Sequence, residues 1–242
     1  MLLERRNLRH LAVIGFSVVA LLSLGVPAQA DVNLVTNGSF ENTTLTNSDF
    51  FTTTDVTGWQ TNSYTFLVFP GTAQTGIGNG VTLWPGITYT MPATSPDGGN
   101  FVAADGAYES GPITQTLHGL VAGQSYNVSF YQAGAQQQGF TGPTTDRWQV
   151  SLGSQSELSA LMVNPSHDFS PWTQQTLTFQ ATSTSEVLSF LAVGTPPGVP
   201  PFSLLDGVSV EASTPEPAYY GLIGVALLGI FAVRRQLKKR SA

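Results

Sequence analysis

The stretch QSYNVSFYQAG, residues 124–134, decides the fold of this 242-residue chain. Tyr126, Val128 and Phe130 fall on one face of an extended backbone, and Asn127 and Ser129 fall on the other. Strict alternation of this kind marks a strand with one buried face. The same period recurs outward from it. In DRWQVSLG (146–153), Trp148, Val150 and Leu152 align; in TQQTLTFQA (173–181), Thr173, Gln175, Leu177 and Phe179 align. In FSLLDGVSV (202–210), the period puts Leu204, Asp206, Val208 and Val210 on one face. Clusters of Gly, Pro and Asn break the pattern at FPGTAQTGIGNG (69–80), TSPDGG (94–99) and GTPPGVPP (194–201). About ten short strands and no helix before Tyr219 are expected, which implies an all-β antiparallel β-sandwich of the jelly-roll kind. AGAQQQGFTGPTT (133–145) and TPPGVPP (195–201) read as exposed loops, the second stiffened by its prolines.

Two segments flank this domain. MLLERRNLRH carries Arg5, Arg6 and Arg9, followed by the apolar run LAVIGFSVVALLSLG and then VPAQA. A basic head, an apolar middle and small residues at Ala28 and Ala30 predict a secretory signal peptide over 1–30, cut after Ala30. At the other end, residues 218–233 carry no charge. Sixteen residues is slightly short for a membrane helix, but Tyr219 and Tyr220 suit one interface and RRQLKKR suits a cytoplasmic one. The expected domains are therefore 1–30, 31–213 and 214–242.

Removing both ends changes the charge. Residues 31–213 hold thirteen acidic residues and a single Lys or Arg, Arg147, for a formal charge of −12. Such a surface repels nucleic acid and suits a neutral glycan, a cation or a basic partner. The chain has no cysteine. A domain of this length buries about 70% of its unfolded surface without disulfide staples.

Pro215-Glu216-Pro217, a short apolar segment and an arginine cluster beginning at Arg234 and Arg235 close the chain. This three-part order resembles the PEP-CTERM sorting signal. The resemblance implies a bacterial protein that is exported and held in the inner membrane by its tail. An exosortase-type sorting enzyme would then recognise it and cut near Pro-Glu-Pro. It also implies a setting in which exopolysaccharide is made.

NLVTNGSFE (33–41), GNFVAADG (99–106), ITQTLHGLVAGQSYNVSFYQAG (113–134) and FSLLDGVSV carry a second resemblance. Together they are similar to secreted jelly-roll domains of the galactose-binding-like type, among them carbohydrate-binding modules and a plant cell-wall family of unknown function. In such modules a structural calcium often ties the first strand to the last. The matching positions are Glu41, in the N-G-x-F-E motif, and Asp206. The residues themselves point the same way. An ionised Asp206 on an inward face needs a partner, and Arg147 is the one basic side chain in the domain. The alternative is that Asp206 sits in a bulge at Gly207 and faces water or backbone amides.

Aromatic side chains stack on sugar rings, but most aromatics pack in cores. Trp59, Trp148 and Trp172 read as core. Trp84 in LWPGITY, Tyr108 in DGAYESG and Phe140 in the Gly-rich loop fall near turns and read as ligand-binding candidates. Asn79, Asp105, Glu109 and Gln138 are possible polar partners for them. No catalytic pattern surrounds His118 or His167, and neither H-E-x-x-H nor G-x-S-x-G occurs. A glycosidase needs two carboxylates about 5 to 9.5 Å apart; Asp105 and Glu109 are one such pair among many acids. The sequence is read as non-enzymatic. It is expected to be a glycan-binding module, with a structural or adhesive envelope protein as the alternative.

Overall fold

The computed structural model describes residues 32–108 and 111–213. The expected signal peptide, sorting motif and tail helix all lie outside the described residues. Among the described residues the chain forms eleven strands and no helix. They are β1 (Asp49–Phe50), β2 (Thr65–Val68), β3 (Phe101–Asp105), β4 (Ile113–His118), β5 (Ser125–Gln136) and β6 (Thr144–Leu152). β7 (Gln155–Leu158), β8 (Met162–Asn164), β9 (Ser170–Gln180), β10 (Ser185–Thr195) and β11 (Pro201–Ala212) follow.

One sheet has the order β1-β2-β3-β11-β5-β9 and the other β4-β10-β6-β7, with β8 also paired to β6. Every pairing is antiparallel. The predicted alternation survives where it was clearest: Tyr126, Val128, Phe130, Trp148, Val150 and Leu152 are all buried in one core. That core lies between the sheets. Phe130 of one sheet meets Phe190 of the other edge to face, with centroids 5.1 Å apart, and Trp148 meets Phe190 at 6.1 Å. Edge-to-face contacts of this kind suit the ring quadrupole. The two sheets thus form a β-sandwich.

A second apolar layer lies on the opposite face of the six-stranded sheet. Phe66, Val68, Phe101, Ala103, Ala133, Ala135, Phe202 and Leu204 are covered there by Ile77, Val81, Leu83 and Met91. These covering residues come from the segment 77–91, which begins inside the Gly-rich punctuation at 69–80 and continues past it. Their spacing is irregular because the segment is a folded loop, so no period betrays it. β2 and β3 are consequently buried on both faces.

This second layer corrects three expectations. First, Leu204, Asp206, Val208 and Val210 do not share a face. The register of β11 against β5 shifts between Asp206 and Ser209, with Gly207 at φ 58°. Leu204 lies in the outer layer, whereas Val208 and Val210 lie between the sheets. A bulge inserts one residue and so inverts the parity beyond it. Second, Ala133–Gln136 are not exposed loop but the buried end of β5, and Thr144 and Thr145 open β6. Third, Trp172, read as core, is only half-buried and packs edge-on against Phe101 at the outer layer, centroids 5.5 Å apart.

Candidate functional site

The N-G-x-F-E motif is held by its own backbone. Asn37 and Phe40 both have φ 56°, and the Asn37 side chain donates to the carbonyls of Asn42 and Thr57 while accepting from the Asn42 amide. Trp59 donates its indole N–H to the Asn37 carbonyl at 2.9 Å. The motif is pinned to the last strand, because Val208 N–H donates to the Gly38 carbonyl at 3.0 Å. A Cβ on Gly38 would strike the carbonyl of Val208, so only glycine allows this approach.

Glu41 and Asp206, the two positions named by the resemblance, lie near enough for the charge of Glu41 to act on the Asp206 carboxyl. The Glu41 carboxylate lies against Gly99 and accepts the Asn100 amide at 2.5 Å. Asp206 is fully buried. Its Oδ2 accepts from the Ser95 hydroxyl, and its Oδ1 has no partner. Of the alternative reading, the bulge at Gly207 is present and the Gly207 amide donates to the carboxylate, but Asp206 does not face water. Burial pushes its carboxyl up to about 8, against hydrogen bonds from Ser95 and Gly207, and the charges of Asp97 and Glu41 push it further the same way. Asp97, which no sequence pattern singled out, packs beside Gly207. Among the described residues no three His, Asp or Glu side chains converge as they would in a carboxylate-only metal site. Calcium also takes backbone and amide carbonyl oxygens and water. Asp206 Oδ1 is a buried carboxylate oxygen without a hydrogen-bond partner, and the charges of Asp97 and Glu41 act on it.

The aromatic candidates lie at one end of the sandwich. The ends of β3, β5 and β10 meet the starts of β6 and β11 there, as the pairs Phe202–Asp105, Pro201–Gln136 and Thr195–Thr145 show. Trp84 and Phe140 are brought together: the Trp84 indole donates to the Phe140 carbonyl at 3.3 Å. Both are half-buried. Trp84 also stacks on His167, with centroids 4.2 Å apart. Tyr108 is 53% exposed and stands edge-on against Tyr64 at 5.2 Å, rather than against Trp84. The Asn79 amide donates to the Tyr64 hydroxyl at 3.4 Å. Gln138 is committed to the Leu83 carbonyl. Glu109 lies outside the described residues.

Asp168, which with His167 in NPSHDFSPW reads from the sequence as no more than a loop pair, organises this end. Its Oδ1 accepts the backbone amides of Ile87, Thr88, Tyr89 and Phe169 at 2.9–3.2 Å. Burial alone would raise its carboxyl. The hydrogen bonds from Thr88, Phe169, Tyr89 and Ile87 prevail and hold it well below the usual carboxylate range. The clamp fixes a turn on which Ile87 is 75% exposed and Tyr89 55%. Asp168 pairs with residues about eighty positions away, so nothing local in NPSHDFSPW announces it.

Two further acids are buried near that end. Burial raises Asp105 to about 6, partly offset by the amides of Ala107 and Tyr108. Burial, and then the charge of Asp105, raises Asp146 well above its ordinary value, against hydroxyls from Ser203 and Thr144.

No family model matches the chain. It is 32% identical over 197 residues to halomucin of Haloquadratum walsbyi, covering 79% of this chain and 2% of that protein. The chain thus spans a small fraction of the curated relative it matches. Similar solved structures include a family 16 carbohydrate-binding module, at 12% identity and TM-score 0.39, covering 74% of this chain and 99% of that one. A xylan-binding CBM22-1 domain from Paenibacillus barcinonensis has 12% identity and TM-score 0.38, covering 78% and 99%. The cleaved adhesin domain K2 of Lys-gingipain has 12% identity and TM-score 0.37, covering 77% and 99%. Likeness of this degree leaves ligand and activity to be argued from the site itself.

Proposed function

We propose that residues 31–213 form an exported, non-catalytic glycan-binding module whose ligand surface is the loop end carrying Tyr108, Tyr64, Trp84, Phe140 and Tyr89. The observation that carries this reading is the presentation of Tyr108: more than half exposed, its ring braced by Tyr64. A rigid exposed ring beside amide and carboxylate groups is the chemistry that takes a sugar's apolar face and its hydroxyls. The Asp168 clamp adds Tyr89 on a turn that does not have to be ordered on binding, which limits the entropic cost. Structural calcium at Glu41 and Asp206, with Ser95 and Asp97 nearby, would tie the N-terminal segment to β11 and neutralise a buried charge. The acidic domain suits a neutral polysaccharide, exopolysaccharide being the setting implied by the tail. The tail itself would hold the protein in the inner membrane until an exosortase-type enzyme acts near Glu216.

The test is binding of the purified protein to an array of bacterial and plant polysaccharides. Retention on one polysaccharide class, lost in Tyr108→Ala and reduced in Trp84→Ala while both variants stay folded, is the expected result. A silent array from folded protein would sink the glycan reading and leave a structural or adhesive envelope protein.

A further inference from the structure

Between the sheets, at the loop end, the apolar core gives way to polar side chains. Thr144, Asp146, Asn164 and Ser203 are all buried, with 1% exposure or less. Asp146 is the charged member, and among the described residues no cation balances it. Arg147 is the one Lys or Arg between residues 32 and 213. Strand alternation along β6 turns it to the face opposite Asp146. The carboxylate is poorly satisfied by its neighbours. Ser203 reaches Oδ1 at 3.4 Å and Thr144 reaches Oδ2 at 3.5 Å. A hydroxyl donating to a carboxylate normally stands about 2.6 Å away, so both contacts are slack. On the β10 side, Asp146 is paired with Gly194, and even a single carbon on that glycine would come within 3.3 Å of Oδ1.

A second observation comes from Asn164, the direct cross-strand partner of Thr144 and therefore on the same inward face. It is fully buried, and its Nδ2 has no partner. Its Oδ1 stands 3.5 Å from Ser170 Oγ. Ser170 has one hydroxyl hydrogen, which it donates to the Val163 carbonyl at 2.9 Å. Toward Asn164, Ser170 can therefore only accept. A half-turn of the amide lets Nδ2 donate to Ser170 and leaves Oδ1 in the unpartnered place. The site then presents only oxygens: the Asp146 carboxylate, the Thr144 and Ser203 hydroxyls and the Asn164 amide oxygen.

We infer that Asp146, Thr144, Asn164 and Ser203 form a buried binding site for a hard, oxygen-seeking cation of the calcium class, separate from Glu41 and Asp206. Oxygen donors in a mixed carboxylate, hydroxyl and amide set are those such ions take. The ion would replace the missing countercharge and link β6, β8 and β11. Nearby Asp105 adds negative potential without having to be a ligand.

Calorimetric titration of the chelator-stripped full chain with calcium, and terbium luminescence excited through tryptophan, test this. Trp148, two residues beyond Asp146 on the same face, is the sensitiser. Two ions are expected for the native chain, one for Asp146→Asn and one for Asp206→Asn, with the terbium signal reduced chiefly in Asp146→Asn. Asn164→Ala is expected to weaken the second ion at least about tenfold. An ion count and affinity unchanged in Asp146→Asn overturns the inference, as does a single ion lost only in Asp206→Asn. A single ion lost only in Asp146→Asn would keep it and remove the Glu41–Asp206 site instead. Should Asp146→Asn fail to fold, Asn164→Ala decides, and unchanged binding there overturns the inference.

Discussion

The Ser95 hydroxyl donates to Oδ2 of Asp206, across 111 residues of chain, while Oδ1 of the same carboxylate is buried without a partner. Half of this carboxylate is satisfied and half is not, and burial raises it to about 8 in the fold, against 3.8 unfolded.

The sign of the pH effect follows. A raised folded-state value means that the folded chain prefers the protonated acid. Its contribution is complete below about 4 and is lost as pH rises through about 8. Calcium-stripped protein is therefore expected to melt at lower temperature at pH 8.5 than at pH 5. The slope attributable to Asp206 is at most about 1.4 kcal/mol per pH unit. Asp206→Asn should flatten that part of the profile, and millimolar calcium should restore the native protein at high pH. Calorimetric melting across pH 4–9 reads this; a native-minus-variant difference that is flat with pH refutes it.

Asp168 gathers four backbone amides on one oxygen. Asp168→Ala leaves the turn at Ile87–Tyr89 without its acceptor. Loss of about 2 kcal/mol is expected, given the charged acceptor removed from four amides. Hydrogen exchange at residues 87–89 should accelerate far more than in the core strands. Protection unchanged in the variant would show that the turn holds itself.

Gly98 and Gly99 are neighbours with different constraints. Both have positive φ, 94° and 60°, but a Cβ on Gly98 meets nothing, whereas one on Gly99 meets the Glu41 carboxylate. Gly98→Ala should cost about 1 kcal/mol from backbone strain alone. Gly99→Ala should cost more and should also abolish the calcium-dependent rise in melting temperature. Equal responses of the two variants to calcium would argue against Glu41 as a ligand.

Trp148 links the sheets chemically as well as by packing, since its indole donates to the Leu204 carbonyl at 3.0 Å. Trp148→Phe keeps most of the apolar contact and strands a buried carbonyl. A loss of about 2 kcal/mol in denaturant unfolding is expected, with glycan binding unaffected.

The sequence by itself determined the strands of the inter-sheet core. Tyr126, Val128, Phe130, Trp148, Val150 and Leu152 alternate because a pleated backbone points successive side chains to opposite faces, and that rule is local. It also determined that Asp206 needs explaining, since the domain has a single basic residue to offer it. Only the tertiary structure decided which way Asp206 points. The bulge at Gly207, which the sequence offered only as one of two alternatives, inverts parity. The outer layer under Ile77, Val81, Leu83 and Met91 was likewise invisible, because a loop that folds over a sheet has no period to read. Asp168 and Asn164 show the same limit. One organises a turn eighty residues away, and the other faces Thr144 only through the pairing of β6 with β8. Their roles come from contacts between distant segments, and such contacts exist only once the chain has closed.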